Sequence, residues 1–266
     1  MRNFFLWLFE TKEEPFDIPL FGFFHILYAL IIFGLTIGLG FYLAKKKDSE
    51  LNDKVLRALA AATAIVYVAD FFIQPLFRNG EMNVDKLPFH ICTLMCPVLN
   101  FVQFNKRFER FRQPVAFLSI VAPLMYICYP GTAIGTESPF CYEIIQTFVF
   151  HGLVFSWGFN NLATSTVKPD VKKCWHALVG ICLVALWAGF GNIVYADYDW
   201  FFLTGSTFPF IPKPLMPFVV IAAVFAMVMI IYGLYYAWMK ILDKRNIKKA
   251  IESVIDNEKQ KSVKAE

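Results

Sequence analysis

Long apolar runs separated by short polar segments form the dominant pattern of this chain. A helix that crosses the hydrocarbon core of a bilayer needs about 20 mainly apolar residues. The runs that approach this length cover residues 21–44, 55–77, 88–104, 114–129, 140–163, 174–196 and 215–242. The pattern therefore predicts an all-α, polytopic membrane helix bundle of about seven transmembrane helices in residues 1–243, followed by a charged cytoplasmic tail in residues 244–266.

The composition indicates that lipid is the solvent of these helices. Hydrophobic residues make up 58% of the 266 residues and charged residues only 17%, whereas soluble domains carry about 25% charged residues. One soluble core of this size does not bury such an apolar surplus. We therefore expect membrane lipids to be contact partners of this chain.

The basic residues alternate between the two sides of the predicted bundle. Twenty of the 25 Lys and Arg residues lie in the first, third and fifth loops and in the C-terminal segment. The positive-inside rule assigns that side to the cytoplasm. We therefore predict a multi-pass protein of the cell membrane, with its N-terminus outside and its C-terminus inside. Because the basic residues act as topological signals, we expect no nucleic-acid partner.

Polar side chains inside the predicted spans concentrate in the outer half of the membrane, where each is a candidate site residue. Glu143, Thr147 and His151 repeat every four residues and so share one helix face. We predict an outward-facing polar cavity, and we expect the inner half to hold only amides and hydroxyls. The residues predicted to bind substrate in this cavity are Asp70, His90, Glu143, Gln146, Asn192 and Tyr195.

A cysteine and a histidine in this group can form a catalytic pair. A histidine can activate a thiol as nucleophile, which points to Cys92 and His151. Their predicted depths differ by about 10 Å, and Cys96 is the alternative reactive thiol. With an N-cap expected at Asp85, the helix dipole gives Cys92 little help.

Metal binding is the competing interpretation of the same cysteines. Cys92 and Cys96 have the i, i+4 spacing of ligands on one helix. His90 is two residues from Cys92 and would face another side of a helix. We therefore expect no metal and no cofactor.

Three segments resemble a known family. Leu87-Pro88-Phe89-His90-Ile91-Cys92 resembles the Leu-Pro-Leu-His-Leu-Cys signature of the YwaF-like bacterial integral membrane proteins, with Phe89 in place of Leu. His151-Gly152 and Asn192-Ile193-Val194-Tyr195 look like that family's later histidine and its Asn-x-x-Tyr segment. Distant eukaryotic relatives are multi-pass acyltransferases that act on ether phospholipids with a Cys and a His. Similar six-helix lipid-ester hydrolases use a Thr and a His.

The resemblance implies that Cys92 is a nucleophile and His151 a base. We therefore favour a lipid acyltransferase or lipid esterase. The alternative is a non-enzymatic carrier or receptor that binds a small amphiphilic ligand in the same cavity. The sequence leaves the substrate and the oligomeric state open.

Overall fold

Seven α-helices, connected by turns and short 3-10 helices, make up most of the described chain. The computed structural model describes residues 21–77, 82, 84–130, 139–204 and 211–263, with side chains as far as residue 241 except those of Leu76, Phe77 and Asp85. The helices, numbered α1 to α7, are Phe23–Lys46, Ser49–Phe77, Ile91–Phe104, Arg112–Cys128, Tyr142–Ala163, Trp175–Val194 and Met216–Val263. These residues contain no β-strand, and the predicted all-α membrane bundle is confirmed.

Five helices are long and apolar enough to cross a bilayer, namely α1, α2, α4, α6 and α7. The other two depart from this pattern for different reasons. Helix α3 has 14 residues, which gives a length of about 21 Å. Helix α5 has 22 residues but carries polar side chains along its length. Apart from the start of α2 and the end of α7, the helix bounds lie within three residues of the predicted apolar runs.

Two helix boundaries differ from the prediction. Helix α2 begins at Ser49, six residues before the predicted start, because Asp48 Oδ1 accepts hydrogen bonds from the amides of Glu50 and Leu51. Capping of this kind satisfies amides that the first turn leaves free. Helix α7 runs without interruption to Val263, so its backbone continues into the predicted tail. The division of the chain at residue 243 stays a prediction.

Helix α5 lies at the centre of the bundle and packs against α1, α2 and α4. A Cβ atom at Gly158 would lie 2.6 Å from the carbonyl oxygen of Ala116 in α4. Glycine at this position therefore lets the two backbones approach closely. Helix α4 is buried along most of its length, whereas α1 is mostly exposed on the outside of the bundle.

The two ends of the bundle carry different polar groups. The end that contains Lys46, Asp53 and Arg112 is called the basic end, and the opposite end, with Lys86, His90 and Glu143, is called the motif end. The expectation of only amides and hydroxyls in the inner half of the spans stays a prediction, because two charged residues of the basic end lie just outside the predicted spans. Asp53 accepts a hydrogen bond from Gln103, and Arg112 is buried.

Candidate functional site

Lys86 is the centre of a polar cluster at the motif end. It lies in the 3-10 helix Val84–Lys86, and its side chain is only 17% exposed. Its Nζ atom lies 3.7 Å from Asp70 Oδ2 in α2 and 4.0 Å from Glu143 Oε1 in α5. The same Nζ donates hydrogen bonds to Gln146 Oε1 and Thr147 Oγ1, both at 3.3 Å. One ammonium group therefore joins α2 to the first turns of α5.

Asp70 is the most deeply buried member of this cluster, with 1% of its surface exposed. Its Oδ2 accepts a hydrogen bond from Gln74 Nε2 at 3.3 Å, and the Tyr142 hydroxyl also bonds to this carboxylate. Tyr67 donates to the Lys86 carbonyl oxygen at 2.8 Å, which fixes the main chain beside the ammonium group. Pairing is needed here because an isolated charge in an apolar interior is very costly.

His151 lies buried in α5, where two contacts fix its ring. Its Nδ1 lies 2.7 Å from the Thr147 carbonyl oxygen. A carbonyl only accepts, so Nδ1 carries the proton and Nε2 presents a lone pair. No hydrogen bond involves Nε2 among the described residues. The ring stacks on Tyr126 of α4, with centroids 3.9 Å apart and planes 10° apart. His151 is thus held in an orientation suited to a base.

Cys92 is the second residue of α3, closer to the helix start than predicted. The N-cap is His90, in an extended conformation, so the expected cap at Asp85 is wrong. The amides of Ile91, Cys92 and Thr93 make no hydrogen bond to other residues within the described chain, since the first helical bond runs from Leu94 to the His90 carbonyl. Such free amides favour negative charge at a helix start, and Cys92 lies closer to them than an N-cap at Asp85 implied.

His90 sits between the predicted catalytic residues and a loop. Its imidazole lies within electrostatic reach of His151 and of Asp199, and 6.3 Å from the Phe202 ring. Because its backbone is extended, the argument that it faces another side of the α3 helix does not apply. No hydrogen bond joins Cys92 to His90 or to His151 among the described residues. Cys96, the alternative thiol, is buried in the hydrophobic core.

Asn192 and Tyr195 lie away from the Lys86 cluster, at the end of α6. Asn192 Oδ1 accepts from the Trp200 amide at 2.8 Å, and its Nδ2 donates to the Trp200 carbonyl at 3.1 Å. Both polar groups of the Asn192 amide are therefore engaged in holding the following loop. Tyr195 packs against Trp200, with ring centroids 5.5 Å apart. Their proposed contact with substrate stays a prediction.

Phe89 brings two of the recognised segments into contact. Its ring lies 4.7 Å from that of Trp200 and 5.2 Å from that of Trp187. A Cβ atom at Gly191 would lie 2.6 Å from the Phe89 ring, so only glycine permits this approach. Trp187 Nε1 also donates to the Pro88 carbonyl at 2.7 Å. The segment before α3 and the end of α6 thus form one packed unit.

A comparison with known protein families matches residues 20–236 to the TMEM164 family, a range that covers most of the chain. The chain belongs to the TMEM164 family. The match contains every residue of the motif end described above. No curated protein and no solved structure matches the chain. Membership of the TMEM164 family confirms a multi-pass membrane protein, while the YwaF-like and acyltransferase parts of the resemblance stay proposals.

The sequence prediction missed three side chains of this TMEM164 family member: Lys86, Tyr126 and Tyr142. Lys86 entered the prediction only as an outer-loop charge. It is nevertheless one of only five basic residues on that predicted side, and it directly precedes Leu87-Pro88. A basic residue at the edge of a motif on a side poor in positive charge is a signal for a specific role. The two tyrosines carry no comparable signal, because aromatic residues are common at membrane interfaces.

The pocket beside the Lys86 cluster is narrow. It has about 150 Å³ of empty space and is lined by Asp70, Phe71, Gln74, Pro75, Met82 and Lys86. This volume is smaller than the roughly 300–1,000 Å³ typical of small-molecule sites. Of the six residues predicted to bind substrate, only Asp70 lines it. Within the described residues of this TMEM164 family member, no group of three or more His, Cys, Asp and Glu is placed to hold a metal ion.

Proposed function

We propose that this protein is a membrane enzyme that moves or hydrolyses the acyl chains of lipids, with Cys92 as nucleophile and His151 as base. The observation that carries the proposal is the position of Cys92 in the first turn of α3, among amides that make no hydrogen bond to another described residue. His151 supports it from α5 with an Nε2 atom that no described residue bonds, and His90 lies within electrostatic reach of His151.

The reaction needs a thiolate, a proton carrier and a group that stabilises an oxyanion. His151 Nε2 takes the thiol proton, and the Cys92 sulfur attacks the ester carbonyl of a lipid. The amides of Ile91, Cys92 and Thr93 can donate to the resulting oxyanion. The tetrahedral intermediate then expels the lipid alcohol, which receives the proton from His151, and leaves a thioester on Cys92. Transfer to another lipid alcohol gives an acyltransferase, and transfer to water gives an esterase.

This mechanism requires Cys92 and His151 to come together when the substrate binds. Catalytic hydrogen bonds are often absent before substrate binding and form in the reactive complex. The Lys86 cluster, with Asp70, Glu143 and Gln146, offers both charges for a polar lipid headgroup. We propose that it orients that headgroup at the outer face of the cell membrane, while the acyl chains lie along the apolar helices.

A non-enzymatic carrier or receptor is the second candidate. The observation that favours it is the contrast between a fully assembled Lys86 cluster and a Cys92 thiol without a hydrogen bond to either histidine. In this alternative the cluster binds the head of an amphiphile and the thiol has no chemical role.

The test uses the purified protein, a long-chain alkyl iodoacetamide as probe, and a phospholipid with defined acyl chains. We expect Cys92→Ala and His151→Ala to lose most probe labelling, while Cys96→Ala, Cys174→Ala and Cys182→Ala keep it. Mass spectrometry should find a hydroxylamine-sensitive acyl group on the Cys92 peptide after incubation with the phospholipid. Full labelling of Cys92→Ala, with no acylated peptide in the wild type, would rule out the enzyme and favour the carrier or receptor.

A further inference from the structure

Arg112, the first residue of α4, is a buried cation without an adequate partner. Only 8% of its surface is exposed, and its guanidinium makes no hydrogen bond among the described residues. Its Nε atom is buried and has no hydrogen-bond partner in the described part of the chain. The one ion pair that it makes with a described residue, to Glu109 Oε1, spans 3.9 Å, and the Glu109 side chain is itself 66% exposed. Buried arginines are normally paired and hydrogen-bonded, so this site lacks an anion.

The neighbouring carboxylate is already occupied. Asp53 lies within electrostatic reach of Arg112, but its Oδ2 accepts from Arg57 Nε at 2.7 Å and its Oδ1 from Gln103 Nε2 at 3.1 Å. Gln103 in turn accepts from Trp157 Nε1 at 3.0 Å. This network fixes Asp53 as the counter-ion of Arg57. Among the described residues, the largely exposed Glu109 carboxylate is then the only counter-ion left close to Arg112.

The surroundings of Arg112 place it at the edge of the apolar bundle. The 3-10 helix Lys106–Phe111 connects α3 to α4 at the basic end. Phe108 and Phe111 of this connector pack against the hydrophobic core, while its basic side chains Lys106, Arg107 and Arg110 are exposed. A phosphate that approaches along the outside of the helices meets these exposed charges first, and then Arg112.

We propose that Arg112 binds a phosphate group, and that this phosphate is the headgroup of an anionic phospholipid. The planar guanidinium fork matches phosphate oxygens in a two-bond geometry. A lipid source fits the position between α3 and α4, where headgroups lie beside helix ends, and basic segments of this kind attract anionic lipids. The site lies at the opposite end of the bundle from Cys92 and does not depend on the proposed catalysis.

The test uses the full chain, freed of lipid and held in dodecyl maltoside, which contains no phosphate. Dioleoyl phosphatidylglycerol, monoolein and inorganic phosphate are each titrated while the thermal unfolding midpoint is measured at constant ionic strength. Monoolein supplies acyl chains without phosphate, and inorganic phosphate supplies the anion without chains. We expect phosphatidylglycerol alone to raise the midpoint of the wild type.

Arg112→Gln should weaken the apparent affinity for phosphatidylglycerol about tenfold or more, since it removes charge-assisted hydrogen bonds. Arg107→Gln removes one exposed charge from the same connector and should lower the affinity much less than Arg112→Gln does, because an exposed charge attracts the headgroup without bonding to it. If Arg112→Gln does not fold, Arg112→Lys keeps the charge without the planar fork and should also bind more weakly.

Three outcomes would overturn the proposal. In the first, phosphatidylglycerol does not stabilise the wild type more than monoolein does. In the second, every Arg112 variant that folds retains wild-type affinity, or Arg107→Gln loses as much affinity as the Arg112 variants do. In the third, inorganic phosphate reproduces the whole effect, which overturns the lipid source and assigns the site to free phosphate.

Discussion

Lys86 Nζ and Asp70 Oδ2 lie 3.7 Å apart, and each group is held by further partners on a different helix. Gln146 and Thr147 of α5 accept hydrogen bonds from the ammonium group, while Gln74 of α2 donates to the carboxylate. Through Lys86, the ion pair and these hydrogen bonds therefore connect α2 to α5.

Loss of the Lys86 charge should be strongly destabilising. Lys86→Met leaves Asp70 buried and unpaired, which costs about 3–5 kcal/mol of unfolding free energy. Asp70→Asn in the same chain should restore most of this loss. The control is Lys54→Met, because Lys54 pairs with Glu50 on the exposed surface and such pairs contribute about 0.5 kcal/mol. The free energy of unfolding is measured in detergent for the wild type and the three variants. Equal losses of this free energy for Lys86→Met and Lys54→Met would contradict the prediction.

His151→Phe should separate the structural role of this ring from its chemical role. Phenylalanine can stack on Tyr126, so we expect the unfolding midpoint to stay close to that of the wild type. The base is absent, so labelling of Cys92 by the alkyl iodoacetamide should be lost. Tyr126→Phe keeps both the stack and the base, and should label normally. Normal labelling of a folded His151→Phe protein would exclude His151 as the base.

Gly191→Ala should force Phe89 out of its position, since the added methyl group would lie 2.6 Å from that ring. Overpacking of this kind costs about 1–3 kcal/mol. Phe89→Leu should rescue it, because leucine leaves room for the methyl group. Gly233→Ala serves as control: nothing lies within 4 Å of its added Cβ, so stability should be unchanged or higher. A stable Gly191→Ala single variant would disprove the close contact.

Asn192→Ala should release the loop that contains Trp200. The Trp200 amide and carbonyl each lose a hydrogen bond to the Asn192 side chain, and unpaired buried polar groups cost about 1–3 kcal/mol each. Hydrogen exchange of the Trp200 amide should become faster. Asn105→Ala removes a side-chain cap at the other end of the bundle and should leave that exchange rate unchanged. Equal protection of Trp200 in both variants would contradict the assignment.

Reporter fusions test the predicted orientation. Reporters fused after Lys47 and Glu266 should lie in the cytoplasm, and a reporter fused after Thr136 should lie outside. The reason is that twenty of the 25 basic residues lie on the predicted cytoplasmic side. A cytoplasmic reading at Thr136 would reverse the orientation and assign the motif end to the cytoplasm.

The helices were predictable because each apolar run is long enough to impose a helix in lipid, where backbone groups must be satisfied within the segment. The start of α2 was not, because the Asp48 cap lies outside the apolar run. Hydrophobicity marks only the part of a helix that lipid covers, so the apolar run did not indicate that α7 continues unbroken to Val263.

The candidate site was predictable only in part. Helical spacing correctly placed Glu143, Gln146 and Asp70 at one end, since the direction of each span fixes the depth of its residues. Lys86 was missed because it lies in a connector, where no periodicity indicates which way a side chain turns. The environment of Cys92 was misjudged because it depends on where α3 begins. The predicted helix starts at residue 88, whereas α3 starts at Ile91, and this shift changes which amides surround the thiol.

The continuity of α7 turns its last part into a rigid spacer. The stretch Lys213–Ile241 already suffices to cross a bilayer. Residues 242–263 extend the same helix by about 33 Å, slightly more than the thickness of a hydrocarbon core. We therefore expect a fluorophore attached near Val263 to lie farther from the headgroups at the basic end than one attached near Ile241. Energy transfer from the label near Val263 to a labelled lipid should be weak, whereas transfer from a label near Ile241 should be efficient. The ratio of the two efficiencies then measures how far the end of α7 lies from the membrane.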